Sequence, residues 1–456
     1  MARKAEEVFE FDEVRVEIGP AISKDAGLVV VVRKIVGAQW FNPLVDGLLA
    51  TMCASPHSAF GFNRRPKLAA GLVALIAGLV MGRRNPNAIA QAFALDPLWK
   101  LTVGRSFSQR ELSRLMQVVA DRGEGSFRRA LLESALEGQE SLELDMDSSL
   151  LELHGAQELG SYNGHYHGFG FHAGWALDIR TSRIAAFWLN EGKAHTSEGQ
   201  ADQLTWILDQ GAPVTLARFD AGLIDPGMLQ AMEGRVDRFV CRIRPNEKLE
   251  QLADPLEPPM PYLPGARSYA EFSYAAKTWD APQRVVVRFQ TPEGADDGRR
   301  ALFPERFFFV TSLADAPGEV VRLYQQRGEA ERVFGEFVAT LQPTFRHIEI
   351  TKNTAWALLV ALAHNILADL RDLLPKPEKP AEVREEHRPE FLPDCWVFGF
   401  HRLLDGVTQP VRPLLARVRD LALRVPCTLK KVRRTLILHI QPDILAPDWF
   451  PALIRN

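Results

Sequence analysis

A chain of 456 residues that is 46% hydrophobic, with a formal charge of −3, has length for about three domains at roughly 150 residues each and apolar content for extensive cores. Cys53, Cys241, Cys395 and Cys427 are too scattered for zinc-knuckle pairs or a disulfide framework, which fits a reducing cytoplasm. The longest apolar stretch, 68–81, falls short of the roughly 20 residues needed to cross a bilayer, and 1–7 has no apolar signal core, so no membrane partner is expected.

Residues 1–138 read as a short Val-rich strand at 28–32 followed by helices. The last of these starts near Ser108, which has capping-box spacing to Glu111. Arg64, Arg65, Arg83, Arg84, Arg105, Arg110 and Arg114 suit a DNA-binding module, although no recognition helix stands out.

From 141 the pattern turns to strands at 142–146, 168–179, 183–189, 214–219 and 236–243, with a helix at 199–210. Three strands, a helix, a strand, a helix and a final strand predict an α/β fold with a mixed sheet of ribonuclease-H type. Its core is expected at 139–243 and 319–374, flanked by mostly helical N- and C-terminal regions. Residues 244–318, with proline-rich turns and strands at 284–289 and 306–311, read as a β-rich insertion. A helix follows that carries Tyr324, Arg327 and Glu331 at i, i+3 and i+7 on one face, with Glu329 roughly opposite. A long helix at 354–373, a proline-rich linker at 375–390 and a basic region at 391–456 complete the chain.

From His401 to Asn456 ten Arg and Lys face four Asp, a surplus of +6 that leaves −9 for the rest. Within it, Lys430, Lys431, Arg433 and Arg434 read either as phosphate-binding or as a solvated helix face.

The chemistry concentrates in 142–149. Leu142, Leu144 and Met146 alternate with Glu143, Asp145 and Asp147, so a pleated strand projects the three acids from one face. Asp220 ends a second apolar run, 214–219, and Glu331 supplies a third acid. Two carboxylates about 4 Å apart repel by roughly 4 kcal/mol at an effective dielectric near 20, so convergent acids call for cations. Mg²⁺ suits hard oxygen ligands, and two-metal phosphoryl transfer on nucleic acid follows. Asp145 rivals Asp147 for the first position. Taken singly, Asp220 is an ordinary strand-end aspartate and Glu331 a solvated helix residue.

His154, His165, His167 and His172 form a dense group in which His165 and His167 share a strand face, and they open the alternative of a zinc- or manganese-dependent hydrolase. Trp279 is placed either to stack on an unpaired base or to pack in a core.

Several blocks follow one another in order along the chain: Asp145-Met146-Asp147-Ser148, His154-Gly155-Ala156-Gln157-Glu158 with Tyr162-Asn163, and Leu189-Asn190-Glu191-Gly192-Lys193-Ala194-His195. Arg218-Phe219-Asp220-Ala221-Gly222, Tyr324 through Glu331, and Ala363-His364-Asn365 follow. In this order the chain resembles the DDE transposases of bacterial insertion sequences, in the branch with a β-strand insertion and a Tyr-Arg-Glu-Lys signature, most closely the insertion-sequence-1380 type.

The resemblance implies that Asp147, Asp220 and Glu331 form a catalytic triad holding two Mg²⁺, with Mn²⁺ able to substitute, and that Tyr324 and Arg327 contact DNA phosphate near the element end. It also implies a DNA-end-binding N-terminal region, double-stranded DNA partners (terminal inverted repeats and target), a synaptic complex read as a homodimer, and a place on the nucleoid. The implied activity is cleavage at element ends and strand transfer. The signature lysine falls at Val338, and the usual Ser and Phe near the second acid are Ala221 and Leu223. Lys352 or Arg346 could replace the lysine. Its absence also admits a DNA-binding descendant that has lost the chemistry.

Overall fold

The valine run at 28–32 folds as a helix, correcting the expected strand. A computed structural model describes residues 13–18, 23, 25–53, 61–258, 265–291, 304–341, 345–373, 415, 423, 427–432 and 435–440. In α1 (Leu28–Gly37), Leu28, Val29, Val30, Val31, Val32 and Ile35 are all buried. A valine in a helix costs well under 1 kcal/mol of propensity, whereas burying its side chain gains about 1.5 kcal/mol or more. Packing against α2 (Phe41–Cys53) and α3 (Arg65–Val80) therefore decides the conformation.

Within α3 every residue from Leu68 to Val80 is buried, which makes the apolar stretch the centre of a helical bundle. Around it lie α4 (Pro86–Leu95), α5 (Pro97–Val103), α6 (Gln109–Arg122) and α7 (Glu124–Leu136). The expected capping box opens α6: Ser108 Oγ accepts from the Glu111 N–H, and the Glu111 carboxylate accepts from the Ser108 N–H. Among the described residues no single helix is long and apolar enough to cross a membrane; α1 and α2, bent by 70°, pass that test only as a pair.

The next elements are β2 (Leu142–Glu152), β3 (Ser161–Asn163), β4 (Gly168–Asp178), β5 (Arg183–Asn190), α8 (Gln200–Asp209), β6 (Val214–Phe219), α9 (Pro226–Met232) and β7 (Phe239–Ile243). β4 pairs antiparallel with β2 and β5, while β6 pairs parallel with β2 and β7. The order β5-β4-β2-β6-β7 is that of the ribonuclease-H fold, as the strand and helix sequence predicts. β1 (Glu13–Ile18) belongs to a separate sheet, described below.

After α10 (Glu247–Ala253), the strands of the 244–318 segment continue the same sheet. β8 (Arg267–Tyr274), β9 (Gln283–Gln290) and β10 (Glu305–Thr311) run antiparallel in the order β7-β10-β9-β8. Nine strands form this sheet among the described residues.

One face of the sheet is covered by α8, α9 and α10, and receives Leu142, Leu144 and Met146 from β2. The N-terminal helices cover the other face beside α11 (Pro317–Gln325), α12 (Gly328–Leu341) and α13 (Ile350–Leu373). A small sheet joins β1 in parallel to β12 (Thr435–Ile440), which pairs antiparallel with β11 (Cys427–Val432).

Two further expectations change. The single helix through 323–331 is broken at Gln326 and Arg327, where the Arg327 N–H turns back to the Tyr324 carbonyl (3.0 Å) ahead of the poor helix former Gly328. Lys430 and Lys431 lie on strand β11 rather than on a helix face. Arg433, Arg434 and the linker at 375–390 lie outside the described residues.

Candidate active site

The period-2 alternation of β2 separates its two sets of side chains as expected, but the acids do not play equal parts. Asp145 is fully buried and bound by both prongs of Arg218, Nε to Oδ1 and Nη2 to Oδ2, each 2.6 Å. This removes Asp145 as a free ligand. The Glu143 N–H is held by Asp178 Oδ1 (3.0 Å).

Asp147, two residues along, points toward the junction of α11 and α12. Its Oδ2 lies 2.5 Å from Arg327 Nη2, and its Oδ1 accepts from the Ser148 N–H (2.8 Å). Burial pushes its carboxyl up to about 6; Arg327 and the Ser148 N–H oppose the shift, while Asp220 and Glu331 add to it.

Asp220 follows β6 directly, so the parallel pairing of β2 with β6 brings it beside Asp147. Its Oδ1 accepts from the Tyr324 hydroxyl (3.1 Å). Burial and the Asp220 charge hold that phenol above its ordinary range, and the Tyr324 ring packs edge-on against Phe309 (5.0 Å). The helix break leaves Tyr324 at the end of α11 and Glu331 in the first turn of α12, with Arg327 between them.

Arg327 Nη1 reaches Glu331 Oε1 at 3.3 Å, so one guanidinium bridges two acids of the triad. Burial works against its charge, but Asp147, Tyr324 and Asp220 outweigh burial and keep it firmly protonated. Asp147 and Arg327 are mostly buried, whereas the Glu331 side chain is 63% exposed.

α12 is seated by a ring stack: Phe334 lies on Trp175 with centroids 4.8 Å apart and planes 5° apart. Trp175 stands opposite Asp147 in the β2–β4 register. Glu329 is turned to Arg332.

By donor type Asp147, Asp220 and Glu331 suit a hard divalent cation, being three carboxylates from separate elements, one of them pushed toward the neutral form by burial and its neighbours. Among the described residues, no three His, Cys, Asp or Glu side chains are close enough to share an ion. In the triad the Arg327 guanidinium supplies the positive charge between Asp147 and Glu331.

The histidines form no ligand group among the described residues. His172 is buried; its Nδ1 donates to the Ala194 carbonyl (2.7 Å), so in the neutral ring Nε2 accepts from Ser148 Oγ (3.0 Å). Burial keeps it below the usual imidazole range. His165 packs edge-on against Tyr166, and His167 sits in a turn with φ 51°.

Trp279 is half-buried, edge-on to Tyr274 (5.4 Å), in a cleft with Met232, Phe239 and Ser312 that no triad residue lines. Lys352 is paired with Glu349, Arg346 is exposed, and Val338 is half-buried against the helical core. Of the N-terminal arginines, Arg65, Arg83 and Arg105 are paired with Asp46, Asp25 and Glu111.

Sequence reasoning missed the role of Arg218, although it stands two residues before Asp220 in the same apolar run. It also missed Ser148 and Tyr166 around Asp147; the Tyr166 hydroxyl donates to the Ser148 carbonyl (3.1 Å).

Residues 12–387 match the family model described as transposase DDE domain group 1. No curated protein matches the sequence. Among solved structures, the cryo-EM structure of the piggyBac transposase synaptic complex with hairpin DNA is similar at 9% identity and a TM-score of 0.43, over 75% of this chain and 74% of that one.

Proposed function

We propose that this chain, which belongs to the transposase DDE domain group 1 family, cuts double-stranded DNA at the ends of a mobile element and joins those ends to target DNA. The observation that carries the reading is the convergence of Asp147, Asp220 and Glu331, from β2, the end of β6 and α12, around Arg327 and Tyr324.

Asp147, Asp220 and Glu331 would hold two Mg²⁺, with Mn²⁺ able to substitute. Bound there, the cations would polarise the scissile phosphate and activate water or a 3′-hydroxyl. The chain's own part is position. Arg327, released from the acids, has the planar fork that suits a phosphate, and Tyr324 stands beside it as a hydroxyl donor.

The narrower assignment belongs to the same proposal. It comprises a bacterial element of the insertion-sequence-1380 type, terminal inverted repeats as the DNA recognised, a homodimeric synaptic complex on the nucleoid, and DNA contacts from Trp279, Lys430, Lys431, Arg433 and Arg434. The ordered sequence blocks support the element type, and the basic surplus of 401–456 supports the tail contacts. A DNA-binding descendant without chemistry is the second reading, favoured by the apolar, half-buried Val338 at the signature lysine position.

Labelled DNA carrying the repeats that flank the gene, incubated with Mg²⁺, separates the two. Cutting at the repeat ends that Asp147→Asn, Asp220→Asn and Glu331→Gln each abolish supports the transposase. Binding by the wild type without metal-dependent cutting supports the descendant.

A further inference from the structure

The Asp145–Arg218 pair is almost wholly out of water, with side chains 0% and 1% exposed, and its two parallel bonds use both carboxylate oxygens. The pair stands in register across β2 and β6, each member two residues before an acid of the triad. The third prong, Arg218 Nη1, donates to the Leu323 carbonyl at 2.8 Å, one residue before Tyr324. One guanidinium therefore links the three chain segments that carry Asp147, Asp220 and the Tyr324–Glu331 stretch.

The backbone ladder already fixes β2 against β6, but the junction of α11 and α12 belongs to no ladder. Besides the apolar packing of α11 and the Tyr324 ring on Phe309 and its neighbours, the junction is hydrogen-bonded to the sheet from Tyr324 to Asp220, from Arg327 to Asp147 and from Arg218 to the Leu323 carbonyl. The first two use oxygens of the triad itself, for which a bound cation would compete. The third stays closed.

Stability alone does not account for such a pair, because replacing a buried ion pair with apolar residues of similar size is often neutral or stabilising. An Arg fork adds direction, which a lysine at the same place does not supply.

We propose that Asp145 and Arg218 are positioning residues, a clamp that sets the spacing of the three acids while their other ties open. The proposal rests on the functional reading above.

The test uses the full chain with Arg218→Lys, Asp145→Asn and the double variant Asp145→Leu/Arg218→Met. It reads melting temperature, Mn²⁺ binding without DNA by electron paramagnetic resonance, and kcat and KM on an end-bearing duplex. The double variant is expected to melt at or above the wild-type temperature. It and Arg218→Lys should bind Mn²⁺ at least tenfold more weakly and lose at least 100-fold in kcat, with KM for DNA within threefold of wild type.

A folded double variant that binds Mn²⁺ and cuts like the wild type would overturn the clamp. If the single variants do not fold, the double variant decides. A wild type that binds no Mn²⁺ removes the functional reading and the clamp with it, whereas a binding wild type with unaltered variants removes the clamp alone.

Discussion

Arg327 and Asp147 form an ion pair of 2.5 Å between the junction of α11 and α12 and strand β2, and the same guanidinium touches Glu331. A cation entering between these acids meets a charge of its own sign. Arg327→Met should therefore tighten Mn²⁺ binding in the absence of DNA by about tenfold, roughly 1.4 kcal/mol, while impairing cleavage. Calorimetric titration of both proteins checks this; equal or weaker binding by the variant would show that the guanidinium does not compete.

Asp147 gives a pH dependence with a definite sign. Its folded-state pKa of about 6 lies above the ordinary aspartate value of about 3.9. Folding thus favours the protonated form, and the stability tied to that proton is present below about pH 4 and lost as pH rises to about 6. The charged carboxylate then costs on the order of 2–3 kcal/mol above pH 7. In metal-free protein Asp147→Asn should melt higher than the wild type at pH 8 and level with it at pH 4. A difference that does not change between the two pH values would sink this account. Mn²⁺ affinity of the wild type should also fall below about pH 6, where protons compete for the same oxygens.

The stack of Phe334 on Trp175 holds α12 against the strand facing Asp147. Phe334→Ala should cost about 3 kcal/mol, the usual range for truncating a buried aromatic residue. Phe334→Leu should recover most of that loss. Denaturant melts of the three proteins report the order, and identical midpoints would mean that the stack does not seat the helix.

Val338 packs half-buried on the helical core. Restoring the signature residue with Val338→Lys should lower stability by about 1 kcal/mol as apolar contact is lost, and should change affinity for an end-bearing duplex less than threefold. Fluorescence anisotropy measures the latter. A tenfold gain would place the position on the DNA-facing side and make the valine a functional loss.

The central sheet was legible because its signals are local: acid–apolar alternation in β2, apolar runs of strand length, and helices punctuating them in the ribonuclease-H order. The grouping of Asp147, Asp220 and Glu331 was an expectation of the resemblance carried by the ordered blocks, and the contacts of Arg327 and Tyr324 bring the three acids into one region. The fate of Asp145 was not legible, because its partner Arg218 lies 73 residues away and only the parallel register brings them together. The helix at 28–32 was hidden for a related reason, since burial among α2, α3 and their neighbours outweighs the small intrinsic preference of valine. The break at Gln326 and Arg327 stands just ahead of Gly328, a weak local signal, and the contact of Arg327 with Asp147 across 180 residues is one that no helical periodicity reports.

The run of β10, β9 and β8 alongside β7 has a consequence for any attempt to shorten the chain. Excising 244–318 as a cassette would leave β7 as a bare rim, its outward N–H and C=O groups free to recruit strands from other molecules. The shortened protein would be expected to self-associate in solution, because the strands that look like an accessory also serve as the sheet's border against aggregation.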